Sequence, residues 1–347
     1  MTNFISDGLN LMLHPHRVSK YLEEGDCYPI YMEISPVGNC NHGCTFCSYD
    51  IMGYPGRMLE TDPLLDFLDE AANYGLRSIL YSGEGEPLLH PDIVNIIIHT
   101  KMKGIDVGLY TNGHLLTDKM AAKILPSLTF FRFSLNGGTR ENYAKIHGVK
   151  PDVFDKVVHN ASHAVRIRNS RGLSVDIGAQ YVLVPENIDY LLKGIAAMKE
   201  ACVDYFVIKP FVQHGLAQAY KINREFTLDP INPVLDEAEK LSDGDFKVIV
   251  RRDSFKKHGQ RCYPHCLGTS FMPALNSKGD IAPCVAYWDR EEFVFGNIYN
   301  NSFQEIWHSG KRKKVKQLLE KKLDLKGCPS DCRPNAINEF LWKAKKA

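Results

Sequence analysis

No apolar run in this 347-residue sequence approaches the ~18–20 residues needed to cross a bilayer. A membrane partner is therefore not expected. A secretory signal is missing too: residues 1–10 mix Thr2, Asn3, Ser6 and Asp7 with apolar side chains, which is neither a charged segment before an apolar core nor an Arg-rich transit helix. A cytoplasmic location is the expectation. Charge of one sign is also lacking, with 42 Lys+Arg against 41 Asp+Glu and a net charge of +1. No overall field is available to hold a phosphate backbone, so nucleic acid is not an expected partner. Internal repeats and low-complexity segments are absent, and a 44% hydrophobic content is enough for a buried core, which excludes wholesale disorder.

What the sequence has in quantity is cysteine. Ten thiols in a chain without a secretory signal point away from disulfides and towards metal ligation or catalysis. Eight fall into two groups: Cys40, Cys44 and Cys47 near the start, and Cys262, Cys266, Cys284, Cys328 and Cys332 in the last quarter. Cys27 and Cys202 stand apart and read as small hydrophobes.

Between the two groups, apolar runs of strand length alternate with stretches of helical periodicity. Strands are expected at 30–34, 78–81, 105–110, 130–135, 174–184 and 205–209, and helices at 63–72, 93–103, 118–125, 153–168 and 188–199. Six strands with five intervening helices make an α/β fold with a right-handed parallel sheet, open or curled into a partial (β/α)6 barrel, with chemistry at the carboxyl ends of the strands. The expected divisions are an N-terminal extension 1–28, the barrel 29–212, a connecting segment 213–260 holding a helix near 235–241 and a strand at 247–250, and a small cysteine-rich α+β domain 261–347.

The first group has the spacing C-x3-C-x2-C on the loop leaving the first strand, where Gly38 and Gly43 let the backbone fold around one centre. A structural zinc site wants four protein ligands, and His42, lying between two of the cysteines, would reach a shared ion only under strain. Three soft thiolates suit a four-iron cluster with one iron left open. Here the sequence resembles the radical S-adenosylmethionine (SAM) enzymes. The resemblance implies that the open iron binds SAM and that the reduced cluster cleaves it to a 5′-deoxyadenosyl radical. Ser82-Gly83-Glu84-Gly85-Glu86, ending the second strand, resembles the family's GEP turn, whose backbone meets the SAM amino group. The resemblance also places Thr111, Asn112, Ser134, Asn136, Gln180 and Lys209, at successive strand ends, around SAM, and Phe46 beside the cluster or the adenine. Each of these is otherwise an ordinary turn, cap or core residue.

Cys266-x12-Gly279-x4-Cys284 resembles the opening of the family's SPASM or twitch extension, with a hairpin between the two cysteines. Ser302 and Glu305 read as a capping box. One auxiliary [4Fe–4S] cluster is implied, held either by Cys266, Cys284, Cys328 and Cys332 or, as in sulfatase-maturing relatives, by Cys262, Cys266, Cys284 and Cys332. The second choice frees Cys328 as a hydrogen-atom donor, and zinc is the alternative metal for the group. The basic run from Lys311 to Lys314 reads as the solvated face of an amphipathic helix.

The expected function is hydrogen abstraction from a polar small molecule (a sugar, aminocyclitol or nucleotide sugar) leading to oxidation or epimerisation. A flavodoxin or ferredoxin would supply the electron. Two alternatives stand beside it: a radical SAM enzyme that modifies a peptide or protein, and a non-catalytic zinc-binding module.

Overall fold

The computed structural model describes residues 9–49, 52–54, 56–211, 230–256, 261–329 and 332–346. Helix α1 (Pro15–Glu24) leads into β1 (Tyr31–Ile34), which runs straight into the first cysteine loop. Then come α2 (Thr61–Asn73), β2 (Ser78–Tyr81), α3 (Ile93–Met102), β3 (Asp106–Thr111), α4 (Asp118–Ile124) and β4 (Phe130–Ser134). Two helices, α5 (Arg140–His147) and α6 (Val153–Ser170), precede β5 (Asp176–Leu183), followed by α7 (Leu191–Glu200), β6 (Tyr205–Pro210), α8 (Asn232–Lys240), β7 (Lys247–Val250) and the short α9 (Arg252–Lys256). The last part holds β8 (Ala274–Leu275), β9 (Asp280–Ala282), β10 (Gly296–Asn297), α10 (Phe303–His308), α11 (Gly310–Lys321) and α12 (Asn335–Ala344).

All ten strands form one sheet in the order β10-β9-β8-β1-β2-β3-β4-β5-β6-β7. Strands β1 to β7 pair in parallel and in sequence order, each reached by a crossover too long for a hairpin. The strand at 247–250, expected within a connecting segment, extends the parallel sheet beyond β6. The hairpin β8–β9 joins the other edge, where β8 pairs in parallel with β1.

The helices pack on one face. Met32, Ile34, Phe131, Phe133, Ile177, Ala179, Phe206 and Ile208 share a single core with Leu64, Phe67, Ile96, Ile97, Ala161, Ile195 and Met198 of the helices. Strand side chains alternate between faces, so Tyr31, Glu33, Tyr110, Arg132, Ser134, Gln180 and Lys209 project from the opposite, inner face. One-sided helices are what a barrel wall requires, and the sheet here is not closed. No helix among the described residues is long and apolar enough to cross a membrane.

Candidate functional site

The cysteine loop is held by the end of a helix. The last carbonyls of α5 have no partner within the helix, and they accept from the loop instead: Thr45 N–H donates to Ile146 O and Gly43 N–H to His147 O, both at 2.9 Å. Gly148, just past α5, has φ +61°, and a Cβ there would stand 2.6 Å from Gly43 O. Glycine is required on both counts. The same contact brings His147 against the loop, with Nδ1 3.2 Å from Cys44 Sγ and its ring stacked on Tyr143 at 4.1 Å.

Cys40, Cys44 and Cys47 face one another closely enough for their charges to interact. Burial, then the neighbouring Cys47 and Cys40, drives the Cys44 thiol well above its ordinary range. Burial also pushes Cys40 up to about 12. Buried thiols set close together fit a cationic iron centre, which would offset both the burial and the mutual repulsion of their thiolates. The sulfur donor set favours iron–sulfur chemistry. His42 is buried, with Nδ1 3.4 Å from His147 Nδ1 and an Nε2 that has no hydrogen-bond partner. The ligating atoms of His42, Cys44 and His147 lie within 4.8 Å of one another. Neither histidine was singled out as functional from the sequence, where only the position of His42 between two cysteines and the Gly148 following His147 hinted at it.

The turn after β2 lies directly against the cysteine loop. Glu86 N–H donates to Asn39 O at 2.9 Å, and a Cβ on Gly85 would stand 2.0 Å from the same oxygen. Glu84 and Glu86, expected among the cofactor-binding residues, do not offer their side chains to a ligand. The buried Glu84 carboxylate accepts from Ser277 N–H at 2.9 Å, Ser277 Oγ at 2.7 Å and Arg57 Nη2 at 3.0 Å, which ties the turn to the C-terminal hairpin. Glu86, also buried, accepts from Thr111 Oγ1 at 2.5 Å, Asn112 N–H at 2.8 Å and Leu88 N–H at 3.0 Å. Thr111 is thereby committed as well, and Ser82 Oγ is a donor to Glu33. The Glu84 N–H is committed too, donating to Ser35 Oγ at 3.0 Å, so what the turn offers is the backbone of Gly83 and Gly85.

Asn112 joins Asn41 of the cysteine loop at 2.8 Å. Asn136 Oδ1 accepts from Val182 N–H at 2.7 Å, so that side chain is a structural bridge. Ser134 and Gln180 stand opposite each other in register on the inner face, half-buried, and Lys209 shares that face on β6. Phe46 packs edge-on against Phe211 in a small apolar cluster with Ile146 and Val184.

The second group lies around the C-terminal hairpin and α12. Burial raises the Cys266, Cys284 and Cys332 thiols, the first to about 11, and each also feels charge from others among Cys266, Cys284 and Cys328. Cys262 is exposed, whereas Cys266 is buried and Cys284, Cys328 and Cys332 are half-buried. Cys328 Sγ lies 3.3 Å from the Tyr287 hydroxyl. Asn338 braces the site: it donates to Cys266 Sγ at 3.5 Å, while its oxygen accepts from Leu267 N–H and Gly268 N–H.

The two groups meet across the inner face. Arg333, one residue past Cys332, pairs with Glu33 of β1, and Tyr49, two residues past Cys47, feels both charges. Beyond them Arg132 donates to Tyr110 OH at 2.5 Å and Tyr205 OH at 3.2 Å, with no carboxylate partner among the described residues.

The sequence model of the Radical SAM superfamily matches residues 34–200, and that of the SPASM iron–sulfur cluster-binding domain matches residues 266–333. Among curated relatives, a tungsten-containing aldehyde ferredoxin oxidoreductase cofactor-modifying protein of Pyrococcus furiosus is 23% identical over 297 residues, covering 81% of this chain and 80% of that protein. A probable GTP 3′,8-cyclase of Saccharolobus islandicus is 34% identical over 219 residues, covering 62% of this chain and 66% of the cyclase. Among solved structures, Streptococcus suis SuiB has a TM-score of 0.66 at 18% identity, covering 91% of this chain and 75% of SuiB. Native anSMEcpe with bound AdoMet has a TM-score of 0.62 at 18% identity, covering 90% of this chain and 88% of anSMEcpe. With a one-sided parallel sheet, three thiols on the loop after β1 and four more beside the C-terminal hairpin, the chain belongs to the radical SAM superfamily and carries a C-terminal SPASM domain, an enzyme whose cofactors are SAM, a [4Fe–4S] cluster and auxiliary iron–sulfur.

Proposed function

We propose that this enzyme takes a hydrogen atom from a peptide or protein segment lodged on the inner face of the sheet, between its two cysteine groups. The observation that supports the reading is the ion pair of Arg333, one residue past Cys332, with Glu33 of β1, which ties the second cysteine group to the strand that leads into the first. In this reading Cys40, Cys44 and Cys47 hold the cluster that binds SAM. Cys266, Cys284, Cys328 and Cys332 hold one auxiliary cluster, so Cys328 is a ligand and not a hydrogen donor. Once bound, the cofactors supply a carbon radical strong enough to break an unactivated C–H bond, with an external one-electron reductant.

The protein's own residues bind, orient and exclude water. The backbone of Gly83 and Gly85, with Ser134 and Gln180, offers hydrogen bonds at the strand ends. Tyr31, Tyr110 and Tyr205 stand on the inner face, and the Arg132 guanidinium, which has no carboxylate partner among the described residues, pairs with an acidic group of the substrate. Net oxidation and epimerisation both start from the same abstraction.

A peptide substrate is supported by two structural neighbours, SuiB with its precursor peptide SuiA and anSMEcpe with peptides, each bound in a fold that covers most of this chain. This moves the preference away from the sugar or aminocyclitol drawn from sequence. The relatives named for cofactor modification and GTP cyclisation favour a second, small-molecule reading. The test is 5′-deoxyadenosine release by the anaerobically reconstituted enzyme with SAM and dithionite. Acceleration by a synthetic peptide pool supports the proposal. Acceleration only by GTP or a sugar panel overturns it in favour of the second reading.

A further inference from the structure

We infer that His147 donates a hydrogen bond from Nδ1 to the sulfur of Cys44 and so raises the reduction potential of the cluster held by Cys40, Cys44 and Cys47. The proton's position follows from the neighbours of the ring. His147 Nε2 lies 3.3 Å from the backbone N–H of Asn136, a group that can only donate, so Nε2 is the acceptor. A ring nitrogen that accepts carries no proton, so the imidazole has only one. Its single proton therefore sits on Nδ1, which faces Cys44 Sγ at 3.2 Å. His42 Nδ1, 3.4 Å away, can share that proton only as an acceptor.

The donor is locked in place. His147 is 1% exposed, its ring is stacked on Tyr143, and its carbonyl accepts from Gly43 in the loop it serves. A thiolate that accepts an N–H donates less electron density to iron, which favours the reduced cluster. His147 is thus a positioning and tuning residue that acts through Cys44. The inference rests on the three-cysteine assignment and is independent of the substrate class.

The test compares reconstituted wild type with His147→Phe, which keeps the stacked ring and loses the N–H, and His147→Gln, which can restore a donor. The midpoint potential of the SAM-responsive EPR signal is read by redox titration, beside iron per chain. The expected result is a more negative potential in His147→Phe at wild-type iron content, with His147→Gln closer to wild type. An unshifted potential in His147→Phe, or equal shifts in both variants, would overturn the inference. A second readout needs no variant: in wild type labelled with 15N-histidine, the reduced SAM-responsive cluster should show weak nitrogen coupling and an exchangeable proton. Absence of both overturns the hydrogen bond. Persistence of the SAM-responsive signal in Cys40→Ala/Cys44→Ala/Cys47→Ala would instead overturn the ligand assignment, a failure the triple variant reports by itself.

Discussion

Arg132 sits on the inner face with two tyrosine hydroxyls for partners and its guanidinium over the rings of Tyr110 at 4.8 Å and Tyr205 at 5.1 Å. A charge-assisted bond to a substrate carboxylate is worth about 1.5–3 kcal/mol. Arg132→Gln should therefore raise the KM for an acidic peptide substrate by roughly 10- to 100-fold, read from 5′-deoxyadenosine release against peptide concentration. A KM within a factor of two of wild type would remove Arg132 from substrate binding. The thiols themselves have a plainer test. Iron per chain should fall from about eight in the wild type to about four in Cys40→Ala/Cys44→Ala/Cys47→Ala, whereas an unchanged count would mean that these residues hold no cluster. These cysteines were legible in the sequence because ligand spacing is a local pattern. His147 was not, because a lone histidine in a polar octapeptide has no spacing to betray it, and its partner sulfur lies 103 residues away.

At the scale of elements, the strands and most helices follow from apolar periodicity. β2, β7 and β9 occur where the sequence put them, and the capping box of α10 is present, with Ser302 Oγ accepting from Glu305 N–H and Glu305 accepting in return. Ser302→Ala should cost about 1 kcal/mol, seen as a fall of roughly 1–2 °C in thermal midpoint. Helix α5 escaped notice. It has eight residues and little apolar repeat, so only its caps mark it: Thr139, whose side chain accepts from Asn142 N–H, and the left-handed Gly148. That omission hid the element that grips the cysteine loop. Gly148→Ala would place a side chain in a left-handed conformation, at about 1 kcal/mol, and push its Cβ into Gly43 O. The expected outcome is a chain that folds but loses iron during desalting faster than wild type, and equal retention would show that the loop does not depend on α5. Pairings between distant elements, such as β8 on β1, were beyond sequence patterning altogether, because two residues of strand carry no register signal.

At the scale of the molecule, ion pairs bind the C-terminal part to the rest. Glu84 links the β2 turn to Arg57 and Ser277, and its loss would strand buried donors at a cost of about 1–3 kcal/mol. Glu84→Ala should therefore lower the thermal midpoint by several degrees. A second pair joins Asp26 to Arg312 of α11, whose buried guanidinium also lies over the Trp307 ring at 3.7 Å. Burial is the largest single influence and pushes the Asp26 carboxyl up, but the hydrogen bond and charge of Arg312, the Lys316 charge and the Ser270 hydrogen bond together outweigh it and leave the group below its ordinary 3.8. A carboxyl lowered on folding stabilises fully above 3.8, and that contribution fades as acid carries the solution below it. The thermal midpoint of Asp26→Asn should then differ from wild type at pH 6 and converge with it near pH 3. A constant gap across that range would deny the ion pair a role. Because β1 delivers the first cysteine group while pairing with β8 of the hairpin that delivers Cys284, the separation of the two redox centres is written in backbone hydrogen bonds and not in a tether. Electrons passing between them would cross a fixed gap, and the tunnelling rate would be indifferent to solvent viscosity and to any opening of the inner face around the substrate.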